Sequence, residues 1–255
     1  MHGIVLLVDN SDLSRIIYNA LANEFDIDGV VREAKVPRST FLKKRLRRLG
    51  WCTLAGQIIF TKCVVPLLKL EATRRRADLL QQYGMDEAPI PMERVIDVRS
   101  VNEAQAVALL QKLSPRVIVV NGTRILEERL LHATGAVFLN THVGITPLYR
   151  GVHGGYWALA SGDSEHFGVT IHKVDTGIDT GDIVAQALTK PADTDNFSTY
   201  PLLQIAFAIP LLKQAIRDAI AGKLETMPAP AGKSMLWSHP TAFQYLKNRI
   251  VRGIR

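Results

Sequence analysis

The chain opens on an unbroken apolar run, Ile4-Val5-Leu6-Leu7-Val8, which gives way at once to Asp9, Asn10 and Ser11. A run of that length without polar alternation reads as a strand covered on both faces, placed at 3–8. Over 11–24 the period changes, with Leu13, Ile16, Ile17 and Leu21 recurring at helical spacing. The two patterns then keep trading places. They predict strands at 27–31, 117–120 and 137–140, and helices at 102–113 and 127–132. Ser100 and Glu103 stand three apart ahead of the 102–113 helix, the spacing of a capping box. Such alternation implies an α/β domain with a mainly parallel sheet and helices on both faces.

From Phe167 onward, Val169, Ile171 and Lys173 alternate with Thr170, His172 and Val174, predicting a half-buried strand. A further strand is expected at 183–187, across the loop from Gly177 to Gly181. Residues 199–222 read as one long helix that Pro210 kinks or breaks. Pro228 and Pro230 mark a linker, and 241–252 is helical in pattern. The division that follows is a main domain over 1–225 and a short helical tail over 226–255.

Residues 35–70 interrupt the alternation as a helical insertion, basic at first and then apolar. Only 13 residues of it, 49–61, run without a charge, too few to span a bilayer. Basic flanks with Trp51 and Phe60 suit a helix lying on a membrane surface. The plainer reading is a helix packed on the core or at a subunit contact.

Composition adds less than it promises. With 255 residues, 47% apolar and 22% charged, the chain is globular rather than disordered. Its net charge of +7 invites a nucleic-acid reading until it is located. Lys35, Arg38, Lys43, Lys44, Arg45, Arg47 and Arg48 share one acid-free stretch, and the remaining 24 basic residues balance 24 acidic ones. The basicity is local, and nucleic acid is not the expected partner. Cys52 and Cys63 make neither a disulfide framework nor a Cys-x-x-Cys pair, and the opening apolar run is too short for a cleaved signal. These features point to a cytoplasmic protein, with the inner face of the membrane as an extension if 35–70 is interfacial.

The chemistry gathers at the end of the 137–140 strand. Asn140 and His142 stand two apart, so an extended backbone turns both to one side, and Asp179 follows in a glycine-flanked loop. Acyl transfer needs a donor where an oxyanion develops, a group near pKa 7 that handles protons, and a carboxylate that holds that group in its working form. Taken singly, each residue is more ordinarily a turn former or a satisfied polar group; the joint pattern carries the reading. No spacing of His, Cys, Asp and Glu makes a metal site.

The ordered motifs Asn140-Thr141-His142, Pro147-Leu148-Tyr149-Arg150-Gly151, Gly168-Val169-Thr170-Ile171-His172 and Asp179-Thr180-Gly181 resemble those of the folate-dependent N-formyltransferases. The likeness is strong over roughly 115–190, fainter over the first strand and helix, and absent from 35–70 and the tail. Val143 and Thr146 depart from the family pattern without removing a reacting group. The resemblance implies a Rossmann-like fold, a 10-formyltetrahydrofolate co-substrate and a primary amine acceptor. It assigns Asn140 to the oxyanion, His142 to its stabilisation and to proton handling, Asp179 to the amine proton, and His172 to a supporting hydrogen bond. It places the pterin against Asn121, Gly122, Thr123, Arg124, Ile125 and Leu126, with Gly177 nearby. The acceptor is expected against Asp9, Asn10, Tyr149, Arg150 and His153. Asp9 and Asp12 disfavour a phosphate at the first helix, and the tail is too short for the extra barrel of tRNA-directed members. An amino sugar, nucleotide- or lipid-linked, is the expected acceptor. The alternatives are another small amine, aminoacyl-tRNA, or a vestigial folate-binding or peripheral-membrane protein.

Overall fold

The computed structural model describes residues 3–35 and 45–255. Strand β1 (Ile4–Val8) leads through helix α1 (Asp12–Ala22) to β2 (Ile27–Glu33). Helix α2 (Trp51–Ile59), a π turn (Phe60–Val64) and α3 (Val65–Glu71) run on without a break, and a turn at Ala72 leads into α4 (Thr73–Gln82). Next come β3 (Val95–Val98), α5 (Ala104–Leu113), β4 (Val117–Asn121), α6 (Glu128–Leu131) and β5 (Val137–His142). The last part holds β6 (Tyr149–Gly151), α7 (Gly154–Ala160), β7 (Gly168–Lys173), β8 (Ile183–Leu188), α8 (Tyr200–Ile220), β9 (Met235–Trp237) and α9 (Ala242–Arg252).

Seven strands form one sheet in the order β3-β2-β1-β4-β5-β7-β8, and β6 pairs with β9 in a separate parallel ribbon. Strands β3, β2, β1, β4 and β5 are mutually parallel, while β7 runs antiparallel to both neighbours. This is the mainly parallel, Rossmann-like sheet the alternation implies. Its two faces are separately packed, as side-chain alternation along a strand requires. Ile4, Leu6 and Val8 point into a core shared with α1 and α8, whereas Val5 and Leu7 point into one shared with α5.

Several expectations need correction. No capping box forms at Ser100: its hydroxyl accepts from the Asn102 N–H, a local turn that delays the helix to Ala104. Pro210 neither breaks nor ends α8. Leu203, Ile205, Leu212 and Ile216 are buried on either side of it, so packing along the whole helix outweighs one missing hydrogen bond. Strand β7 is buried on both faces rather than half-buried, with only Lys173 partly exposed. The reason is polar: Thr170 Oγ1 accepts from the Thr146 N–H (3.1 Å) and donates to the Gly144 carbonyl (2.8 Å), so the 144–149 segment covers that face.

The insertion is helical, as expected, although Arg38, Lys43 and Lys44 lie outside the described residues. Phe60 is fully buried, its ring 4.8 Å from Phe197 and 5.1 Å from Tyr245 on α9. Positions 51–52, 58–59, 62–63, 66–67 and 69–70 are exposed, a stripe that recurs at the ordinary helical spacing of about 3.6 residues. One side thus faces outward from end to end, through the π turn as well as the α-helices that flank it. At the far end of the insertion, the Arg75 guanidinium grips the wholly buried Asp195 carboxylate with two 2.9 Å bonds, tying α4 to the entry of α8.

Candidate active site

In an open α/β sheet, ligands meet the protein at the carboxyl ends of the strands. Here Val8 pairs with Asn121 and Val120 with Asn140, so the ends of β1, β4 and β5 stand abreast. Asn140 and His142 rise from the end of β5, and Asp179 reaches them from the β7–β8 loop, held at φ +50°. Its Oδ2 lies 3.4 Å from His142 Nδ1 and accepts the Gly151 N–H at 2.8 Å. Oδ1 lies 3.6 Å from His172 Nε2 and accepts weakly from Asn140 Nδ2 at 3.4 Å. Gly151 sits at φ +95°, and a Cβ there would fall 2.2 Å from the Trp237 carbonyl, so glycine alone lets this N–H meet the carboxylate.

The hydrogen-bond partners fix the protons. The Tyr149 carbonyl, 2.7 Å from His142 Nε2, can only accept, so Nε2 carries the hydrogen and Nδ1 is left as a lone pair facing Asp179. His172 is the mirror case: Nδ1 donates to the Lys173 carbonyl (2.7 Å), and Nε2 accepts from Asn140 Nδ2 (3.0 Å). That bond sets the Asn140 amide, since its oxygen would repel both the imidazole lone pair and Asp179. One Asn140 hydrogen is thus firmly held, and the other has only the long bond to Asp179.

Electrostatics follow from burial. Burial alone would raise the Asp179 carboxyl, but the positive charge that His142 carries once protonated, and the Gly151 N–H, outweigh it and bring it down to about 2. Burial pushes His142 below its ordinary value, against the upward pull of Asp179 and of the Tyr149 carbonyl. At neutral pH the pair is a neutral imidazole and a carboxylate with a gap for one proton between them. An amine attacking a carbonyl must lose one proton, and a developing oxyanion needs one donor; this cluster offers a place for each.

The other expected site residues divide. Asn121 donates to Ser14 Oγ (2.8 Å) and Leu126 is buried in the core, so neither side chain faces a ligand. Arg124 pairs with the buried Glu33 at 2.6 Å, and the sequence pattern did not single out Glu33. Ile125 is exposed, Thr123 half-buried, and Gly122 stands at φ +73° against Asp9. Gly177 bonds only within its own exposed loop, through the Asp175 carboxylate. Asp9 is turned inward: its Oδ1 accepts from the Ser11 N–H, Ser11 Oγ and Ser14 Oγ, while Asn10 is exposed. Arg150 donates to the Ile178 carbonyl (3.1 Å) and so braces the loop that carries Asp179.

Tyr149 presents its hydroxyl to Asp163 (2.6 Å), which also holds His166 Nδ1 at 2.7 Å. These residues, with Lys233, Met235 and Trp237, line a cleft of about 380 Å³. The tail contributes here because β9 pairs with β6, and Trp157 Nε1 donates to the Ser238 carbonyl at 2.9 Å. Nothing local in the sequence announces a partner some 85 positions away. Among the described residues, no group of three or more His, Cys, Asp and Glu is arranged to hold a metal.

His153, expected at the acceptor, packs tilted against Phe197 (4.1 Å) and edge-on to His239 (4.9 Å). Burial lowers His153 to about 3 and His239 to about 4, and each cation would repel a second charge close by. A histidine with a folded pKa below its unfolded value stabilises the fold above pH 6.5 and loses that contribution as pH falls. The melting temperature should therefore drop by on the order of 5 °C between pH 6.5 and 4.5. His239→Gln should flatten that slope in calorimetry; an unchanged slope would remove the pair as its source.

The family model described as formyl transferase matches residues 66–200, just over half of the chain. The chain belongs to the formyl transferase family. A methionyl-tRNA formyltransferase from Pelotomaculum thermopropionicum is 33% identical over 125 residues, 46% of this chain and 40% of that one. The chain spans less than half the length of such curated formyl transferases. Glycinamide ribonucleotide transformylase 1 from Symbiobacterium toebii superposes with a TM-score of 0.56 at 18% identity, covering 93% of this chain and 95% of that one. An N-formyltransferase from Helicobacter canadensis, in complex with folinic acid and dTDP-3-aminofucose, gives 0.54 at 16% identity over 93% and 71%. Likeness at these identities speaks for the shared formyl transferase fold.

Proposed function

We propose that the protein transfers the formyl group of 10-formyltetrahydrofolate to the primary amine of an amino sugar, nucleotide- or lipid-linked. The observation that carries formyl transfer is the single-proton gap between His142 Nδ1 and Asp179, with Asn140 beside it. The co-substrate supplies an activated formyl carbon. The acceptor nitrogen bonds to that carbon, and the formyl oxygen, as it gains charge, accepts a hydrogen bond from the loosely held Asn140 N–H, which keeps its proton. The amine's proton passes into the gap. The bond from the formyl carbon to the folate nitrogen then breaks, and that nitrogen takes a proton back. The strand-end loop at 121–126 offers Ile125 and backbone groups to a flat heterocycle.

Two features favour a sugar over a small phosphorylated amine. The α1 N-terminus, a natural anion seat, is filled by the protein's own Asp9 carboxylate. The cleft at Tyr149 sets Asp163, His166 and Lys233 around open space, a lining suited to hydroxyls and a phosphate. The likeness to the Helicobacter protein, whose structure holds folinic acid and an amino sugar nucleotide, agrees with this choice. Methionyl-tRNA is the second reading, favoured by the 33% identical relative. Incubation with 10-formyltetrahydrofolate and a panel of amino sugar nucleotides, read by mass spectrometry, should yield a product 28 Da heavier, the formyl increment (about 28 Da, CO). Turnover with methionyl-tRNA alone would overturn the sugar assignment.

A further inference from the structure

Two stretches of the sequence, 34–70 and 226–255, hold fourteen cations and no acid, leaving 17 cations against 24 acids elsewhere. The net +7 is thus a strongly basic part set against an acidic remainder. The fold brings described portions of the two stretches together. On α2, Gly56 has no side chain, and a Cβ there would fall 2.9 Å from that of Thr241, the cap of α9. Gln57 Nε2 donates to the His239 carbonyl at 2.5 Å, and Phe60 meets Tyr245. Glu71, the first acid after Glu33, is consumed by Arg249 and Arg255, which hold its carboxyl below the ordinary value against the upward push of burial.

The outer sides of these paired helices are apolar. Trp51 is 73% exposed, Leu67 65% and Leu70 72% on one; Phe243 is 77% and Ile250 82% on the other. On α9 the exposed Phe243, Leu246, Lys247, Ile250 and Val251 follow the spacing of a single helical face. Lys62, Lys69 and Lys247 stand exposed among them. We propose that this two-helix face docks in the plane of an anionic lipid bilayer, its apolar side chains in the headgroup boundary and its cations against lipid phosphates.

Each alternative meets an obstacle. The charge-free run 49–61 understates this helix: with Lys62 and Lys69 included, Trp51–Glu71 has mean hydropathy 1.5 and length enough to cross a membrane, yet only 17% of that window is buried, unlike a core helix. It cannot leave to span a bilayer, because Gln57, Phe60 and Leu68 are buried beneath it. A second copy, meeting the face symmetrically, would bring basic residues toward basic residues with no unpaired acid on either helix to answer them. An anionic surface answers both the charge and the apolar area.

The test is co-sedimentation of the full chain with phosphatidylcholine vesicles, with and without phosphatidylglycerol. Binding should require the anionic lipid and weaken with salt. The double substitutions Leu67→Glu with Leu70→Glu, and Phe243→Glu with Ile250→Glu, should each cut partition by about tenfold or more. Thermal melting and formyl transfer to a soluble amine should stay unchanged. Absence of wild-type partition, or partition indifferent to both substitutions, overturns the proposal. So does a concentration-dependent dimer in light scattering that the same substitutions dissolve, which would assign the face to a second copy. Partition is read without turnover, so this proposal and the catalytic one fail separately.

Discussion

Replacing Asp179 by asparagine is expected to slow formyl transfer by roughly 10²–10⁴-fold while folate binding and the fold persist. The substitution keeps the shape, and the new amide oxygen can still accept the Gly151 N–H that Oδ2 now takes. Its NH₂ group cannot receive the amine's proton. If it turns toward His142 Nδ1 it donates there and fills the gap with a hydrogen of its own. The wild-type pH profile checks the same arrangement. Because burial lowers His142, kcat/KM should stay flat from alkaline pH down to about 6.5 and fall only below it. Protonation of His142 removes its lone pair, so the loss lies on the acid side. The Asp179 carboxyl, at about 2, stays ionised throughout that window. Near-normal turnover in the variant would take Asp179 out of the mechanism, and an acid limb centred well above 6.5 would take out neutral His142.

Phe60→Ala should destabilise the protein by about 3–5 kcal/mol, among the largest effects of any single truncation here. The ring is wholly buried at the π turn, edge-on to Phe197 and tilted against Tyr245. Its removal leaves a cavity at the junction of the insertion, the α8 entry and α9, three elements with little freedom to collapse inward. A melting temperature lower by about 10 °C is expected for a domain of this size. A drop of under about 3 °C would mean that the neighbours close the gap and that Phe60 is not the anchor. Phe197 also touches His153, so the variant's acid sensitivity should rise with the loss of packing.

The parts of this architecture visible in the sequence are those governed by local pattern. The apolar run at Ile4–Val8 and the spacing of Leu13, Ile16, Ile17 and Leu21 announce β1 and α1 because their neighbours in space repeat along the chain. Strand β3 escapes because Ile96 and Asp97 are exposed at a sheet edge, which leaves only Val98 buried. The three-residue strands β6 and β9 escape because each is defined only by the other. Polar residues mislead in both directions. Thr170 and His172 suggested a wet face, but Thr170 bonds a loop that folds over it and His172 bonds Asn140 on the neighbouring strand. Asp9 suggested a group aimed at a ligand, but three donors from its own helix start claim it. Asn140, His142 and Asp179 were legible as a set; the Tyr149 carbonyl that decides the imidazole's tautomer was not, because a backbone group leaves no mark on sequence.

The pairing of β6 with β9 sets an order of events during synthesis. Gly151 is made early, but the carbonyl packed against it belongs to Trp237, and the Asp179 loop comes between. A ribosome that has released residues up to 220 has exposed every reacting group without the strand that backs the Gly151 corner. The newborn chain thus carries its chemistry before it can aim it, and the corner is backed only once residues 235–237 have been made.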